Sequence, residues 1–188
     1  MDKQEAGTEK HTKKQTFLLI VGIICIAAGV GILGFFGGRK IYREIKKQKL
    51  MRENPVVEIT ALHIKAPILE GTENEILARA VGHFPETGAV GSGNYCIAGH
   101  SSVLYKEYFD NLKNAENGMQ IALYTKEKQC YTYTVSDRFV VEPDEVWILE
   151  DFGDDRVTLV TCTDDGTQRI VVVGKLDAAQ EEAQDDEN

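Results

Sequence analysis

A cysteine and an arginine stand seven residues apart across what reads as a hairpin. Val157-Thr158-Leu159-Val160-Thr161-Cys162 is a β-prone apolar run that ends on a thiol, and Gln168-Arg169-Ile170-Val171-Val172-Val173-Gly174 opens a second such run on a guanidinium. This pairing sets a nucleophile beside a fixed cation, which favours the reactive thiolate. Upstream, Asn94-Tyr95-Cys96-Ile97-Ala98-Gly99-His100 ends a further β-prone run on a histidine. Imidazole titrates nearest neutral pH, so it can protonate a leaving amine and deprotonate an incoming one. Each residue alone has an ordinary explanation. A cysteine in an apolar run is most often a core thiol, His100 a loop residue, and Arg169 a surface partner for Asp154, Asp164 or Asp165. Together they supply nucleophile (Cys162), acid/base (His100) and electrostatic partner (Arg169). His83, in Gly82-His83-Phe84-Pro85-Glu86-Thr87, is the competing base, and Thr161 is a weaker candidate for the substrate-binding wall. His63 reads as strand decoration, and His11 precedes an apolar segment.

Short strands must position these groups. After Asn54-Pro55, β-prone runs separated by turn formers cover Val56–Ile59, Leu62–Ile64, Ile68-Leu69, Asn94–Ala98, Gln120–Tyr124, Cys130–Val141, Val157–Cys162 and Ile170–Val173. Seven or eight short strands at this spacing predict a mainly β fold, a closed barrel or a sandwich. Thr72-Glu73-Asn74-Glu75 reads as a capping box with Thr72 as cap, leading to Ile76, Leu77 and Ala80. A second short helix is expected over Ser102–Leu112.

The remainder of the chain divides by composition. Residues 1–16 are polar and read as disordered. Residues 17–38 carry no charge, long enough for a helix to span a bilayer, and Arg39-Lys40 follow directly where a cleaved signal peptide would show a small-residue site. Residues 39–54 form a basic helical stalk, residues 55–176 the folded domain, and residues 177–188 an acidic solvated tail. Residues 1–52 hold eleven Lys/Arg and four Asp/Glu, a net +7, against −16 for the rest. So acidic a domain would repel nucleic-acid phosphates. A plain positive-inside count places the basic flank, and with it the domain, in the cytoplasm, unless that flank lies on the anionic leaflet.

Four cysteines occur. Cys25 reads as a filler of the apolar segment. Cys96 and Cys130 read as buried free thiols, with a disulfide between them as the alternative in an extracellular setting. No close cysteine pair marks a zinc site. No cofactor is expected; the acidic stretch Glu142, Asp144, Glu145, Glu150, Asp151, Asp154 and Asp155 reads as a solvated loop, with calcium as the alternative.

Thr158-Leu159-Val160-Thr161-Cys162, the downstream Arg169, and Ala98-Gly99-His100 upstream resemble the signature of sortases: TLxTC, an arginine after it, and a histidine after a strand. Ile68-Leu69-Glu70-Gly71-Thr72, the Gly82–Thr87 segment and Phe139-Val140-Val141-Glu142-Pro143 resemble further sortase segments, so the likeness covers about residues 55–176. The resemblance implies an eight-stranded sortase-type β-barrel outside a Gram-positive membrane, anchored by one N-terminal helix with its N-terminus cytoplasmic. It implies a cysteine transpeptidase: Cys162 attacks the Thr–Gly carbonyl of an LPXTG-like signal, His100 protonates the leaving amine, Arg169 supports the tetrahedral states, and an amine of a peptidoglycan precursor or pilin resolves the thioacyl enzyme. The short stretch before Val157 leaves little room for a class B insertion, and without a C-terminal span or an obvious lid the chain resembles class A, D or E. A surface cysteine protease and a non-catalytic anchored binding module are the competing functions.

Overall fold

β-branched and aromatic residues recur in short runs beyond Pro55, and there they form eight strands closed on themselves. The computed structural model describes residues 2–101 and 108–177, with side chains only in part along the first helix. The strands are β1 (Val56–Ile59), β2 (Ile64–Glu70), β3 (Val81–His83), β4 (Asn94–Ala98), β5 (Gln120–Tyr124), β6 (Cys130–Val141), β7 (Arg156–Cys162) and β8 (Arg169–Leu176). Their order around the barrel is β1-β2-β3-β4-β7-β8-β6-β5, with β5 pairing back to β1. Pairing is antiparallel except for β2 with β3 and β4 with β7. Closure gives each of the eight described strands two neighbours.

Alternation along the strands separates two apolar clusters. Ile97, Val157, Leu159, Val172, Ile121 and Tyr133 point into the barrel and are buried. Val160, Val171 and Val173 point the other way, where Val141, Ile148 and Leu149 cover them. Full burial of one such Val or Leu contributes roughly 1.5–3 kcal/mol. The inner cluster therefore holds the barrel, and the outer one seats the β6–β7 connection against its wall.

Local expectations held at six strands and failed where short-range signals conflict. The expected run Leu62–Ile64 is instead a 3-10 turn (Thr60–Leu62), then His63 in the left-handed region (φ 55°) at the start of β2. His63 thus occupies a turn, not a strand. β2 absorbs Ile68-Leu69 and runs through Pro67, opposite Val56. Val81–His83, three residues including a glycine, carried no local strand signal; its pairing with β2 and β4 makes it one. The short helix α2 spans Asn74–Leu77 with Glu73 at its cap and no side-chain capping bond, so Thr72 does not cap it. The left-handed Gly71 (φ 95°), held by its N–H on His83 O (3.0 Å), shifts the helix start one residue on. Of the helix expected over Ser102–Leu112, residues 102–107 lie outside the described residues; Leu112–Asn114 is a 3-10 turn.

The N-terminal helix α1 runs unbroken from Asp2 to Glu53, through the polar segment expected to be disordered. Its Lys, Glu and Gln are good helix formers, and elongating a helix is easier than starting one. It ends where Asn54 and Pro55 were expected to break it, with the Asn54 amide nitrogen donating to Leu50 O at 3.0 Å. The chain divides into two compact units, residues 1–46 and 47–188. Among the described residues no helix is long and apolar enough to cross a membrane. Several side chains of the expected span 17–38, Cys25 included, lie outside the described set.

Candidate active site

β7 lies between β4 and β8, and that order builds the site. On one side Cys162 is the register partner of Arg169. On the other, β4 pairs in parallel with β7 up to Ala98 opposite Val160, and continuing that register brings His100 beside Cys162. Adjacent strands lie about 4.8 Å apart and register partners share a face. The three candidates are therefore neighbours across three strand ends, on the outer face of the barrel. They line one groove of about 370 Å³, each half-buried. Phe84, Val146 and Leu149 supply apolar wall.

Alternation places Thr161 differently from Cys162. Its side chain is 2% exposed, on the inner face with Leu159, and its hydroxyl donates to Gly99 O at 2.8 Å. It borders the groove, but its polar atom is held within the fold.

The two histidines have opposite environments. His83, at the end of β3, is 9% exposed and stacks on Tyr95 with ring centroids 4.3 Å apart. Its Nδ1 meets Glu70 Oε2 at 2.9 Å, and its Nε2 meets Thr87 Oγ1 at 3.0 Å and Gly88 O at 3.1 Å. Both ring nitrogens are occupied, Nε2 in holding the β3–β4 connection and Nδ1 in tying β3 to the end of β2. His83 does not line the groove; His100 does.

The cysteines divide similarly. Cys96 is fully buried, and burial pushes its thiol up to about 11, against which hydrogen bonding to Thr87 and Thr158 works weakly. Cys130 is exposed at the start of β6, not buried as expected, because it sits beside the β5–β6 turn. Both are free thiols. Alkylation of the native protein by iodoacetamide at pH 8 is expected to modify Cys162 and Cys130 and spare Cys96, read by peptide mass spectrometry. Rapid labelling of Cys96 would contradict its burial.

Arg169 is not neutralised by its acidic neighbours. Lys113 holds Asp164 at 2.7 Å, Arg156 pairs with Asp154, and Asp165 accepts from Thr163 Oγ1 and the Thr167 N–H. Those hydrogen bonds hold the Asp165 carboxyl below its ordinary range. Among the described residues Arg169 makes no ion pair; its Nη1 donates to Gln168 O (3.1 Å) and Gly166 O (3.4 Å). The turn thus holds the guanidinium on its own carbonyls, at the strand end paired with Cys162, and leaves its charge without a carboxylate partner among the described residues.

Two carboxylates of the acidic stretch are engaged in hydrogen bonds within the fold. Glu145 accepts from the Glu142 N–H (2.7 Å) and the Trp147 indole (3.2 Å), which lower its carboxyl from the ordinary value. Glu142 accepts from Gln168 Nε2 at 2.7 Å, tying the β6–β7 connection to the β7–β8 turn. Among the described residues no three His, Cys, Asp or Glu side chains are grouped to hold a metal ion.

Ser101, which follows His100 and to which the sequence assigned no role of its own, donates its hydroxyl to Cys162 O at 2.8 Å. A hydroxyl directly after the histidine was its only local signal.

The family model of the sortase domain matches residues 57–177. Among curated proteins, a sortase A of Bacillus anthracis is 32% identical over 133 residues, covering 70% of this chain and 61% of the relative. A sortase A of Streptococcus agalactiae is 34% identical over 139 residues, covering 70% and 56%. The chain thus spans about three-fifths of the length of these relatives. Among solved structures, a Clostridium perfringens sortase D5 transpeptidase is 29% identical with a TM-score of 0.61, covering 72% of this chain and 89% of that one. A Listeria monocytogenes sortase A is 26% identical with a TM-score of 0.62, covering 66% and 86%.

Proposed function

The chain belongs to the sortase family, and from that premise we propose that it is a membrane-anchored cysteine transpeptidase. It joins surface proteins bearing an LPXTG-like signal to a cell-wall amine. The observation that supports the reading is that Cys162, His100 and Arg169 all line one groove, with Cys162 and Arg169 as register partners.

The chemistry follows from the three groups. The Cys162 thiolate attacks the carbonyl carbon between Thr and Gly of the bound signal, and the carbonyl oxygen becomes an oxyanion. The Arg169 guanidinium is permanently charged and stabilises that oxyanion, so it binds the tetrahedral state more strongly than the neutral carbonyl. Collapse breaks the C–N bond, and His100 delivers a proton to the departing amine. The product is a thioester on Cys162. An incoming amine then attacks it while His100 takes a proton back, and the second tetrahedral state expels the thiolate. No electron acceptor and no cofactor enter either half-reaction.

Residues 17–38 are the anchor in this reading. Twenty-two uncharged residues in helical conformation reach about 33 Å, the thickness of a bilayer core. The N-terminus lies in the cytoplasm and the barrel outside, where peptidoglycan precursors or pilin lysines offer the amine. The negative charge of the barrel disfavours nucleic acid as a partner.

The test is mass spectrometry of the detergent-solubilised full chain with an LPXTG peptide and a glycine-based amine. A ligated peptide and a thioacyl adduct on Cys162 are expected. Cleavage without ligation would assign hydrolysis, and absence of any adduct across a peptide library would overturn acyl transfer.

A further inference from the structure

We infer that Ser101 is a positioning residue, holding the His100 segment in register with the nucleophile, an inference that rests on the proposed roles of Cys162 and His100. The parallel β4–β7 ladder ends at Ala98 opposite Val160, two residues short of the reacting pair. Past that point the two segments stay joined by different means. The Gly99 N–H donates to Val160 O at 3.0 Å, and the Thr161 hydroxyl returns a bond to Gly99 O at 2.8 Å. On the far side of His100 the Ser101 hydroxyl donates to Cys162 O at 2.8 Å. The residues before and after His100 are thus both tied to the last three residues of the nucleophile strand. The His100 carbonyl is held by the Phe109 N–H at 3.2 Å. Packing closes the fourth side: a Cβ on Gly99 would lie 2.5 Å from Phe109 Cδ2.

Of these ties, Ser101 alone joins the histidine segment to Cys162 itself. It stands where regular pairing has stopped, so a side-chain hydroxyl replaces a ladder bond. It is half-buried, and its removal leaves the inner core intact. Proton transfer needs donor and acceptor within hydrogen-bond reach, and a displacement of about 1 Å is worth about 100-fold in rate. Losing the Ser101 bond frees one side of the His100 segment and affects the reacting geometry more than substrate affinity.

Two readouts on the full chain in detergent test this. One is steady-state ligation of an LPXTG peptide to a glycine-based amine. The other is the pH profile of Cys162 alkylation by iodoacetamide, which needs no peptide. Ser101→Ala is expected to lower kcat about 10- to 100-fold with KM within about twofold, and to displace the alkylation profile. Ser101→Thr and Ser101→Val match each other in shape and differ in the hydroxyl, so they decide the matter even if the Ala variant does not fold. Thr is expected to restore both readouts to within about threefold, and Val to reproduce the Ala defect. Ser92→Ala, exposed between β3 and β4, is expected to change neither. Equal behaviour of Thr and Val overturns the positioning role, as does a rise in KM at constant kcat. If no chain ligates but Val displaces the alkylation profile and Thr does not, the positioning role stands and the proposed transpeptidation fails. If the Val variant ligates like the wild type, the positioning role fails and transpeptidation stands.

Discussion

Cys162→Ala is expected to abolish the thioacyl adduct and lower ligation by at least about three orders of magnitude, because the nucleophile belongs to a group of residues that act as a unit. Neither of the other two described thiols can take its place. Cys96 is fully buried, its thiol pushed up to about 11 by desolvation. Cys130 opens β6 beside Tyr124 of β5 and does not line the groove. Nothing in the substitution disturbs the fold: Cys162 is half-buried at the end of β7, and its carbonyl still accepts the Ser101 hydroxyl. Melting temperature should therefore stay near the wild-type value while intact-protein mass spectrometry shows no adduct. Turnover within about tenfold of wild type would remove covalent catalysis through this residue.

Exchanging either histidine for glutamine should separate chemistry from stability. His100→Gln is expected to lower kcat by about 10²- to 10⁴-fold, the range supplied by a positioned acid/base, because an amide does not carry the proton. His83→Gln should leave the alkylation of Cys162 unchanged and lower stability by about 1–3 kcal/mol, the cost of disrupting buried hydrogen bonds. Its Thr87 and Gly88 contacts hold the β3–β4 connection, and its Glu70 contact and stack on Tyr95 tie β3 to β2 and β4. Thermal melting and ligation rates measured on both variants check this. A His83→Gln enzyme that stays stable but loses turnover would move the acid/base role to His83.

The candidate site was legible in the chain because reactive side chains announce themselves locally. A thiol closing a β-branched run and an arginine opening the next are visible without coordinates, and a seven-residue interval allows a tight antiparallel connection. Six strands were legible for the same reason. β3 was not: Val81-Gly82-His83 is short and carries a glycine, and only its neighbours β2 and β4 hold it extended. Nor did local pattern show that His63 would take a left-handed turn or that Cys130 would be exposed.

Residue types and order alone determined a mainly β domain behind a basic and apolar N-terminal stretch, the residues proposed as nucleophile and cation, and their placement on adjacent strand ends. Tertiary structure decided which histidine stands by the thiol. β4 and β7 pair in parallel across more than sixty residues of chain, and parallel strands cannot be joined by a short hairpin whose sequence would give them away. It also decided that Thr161 turns inward while Cys162 faces the groove, since barrel closure selects the face of each strand that is buried. Local propensity can specify an extended conformation, but pairing partners, register and the buried face depend on burial shared among distant segments.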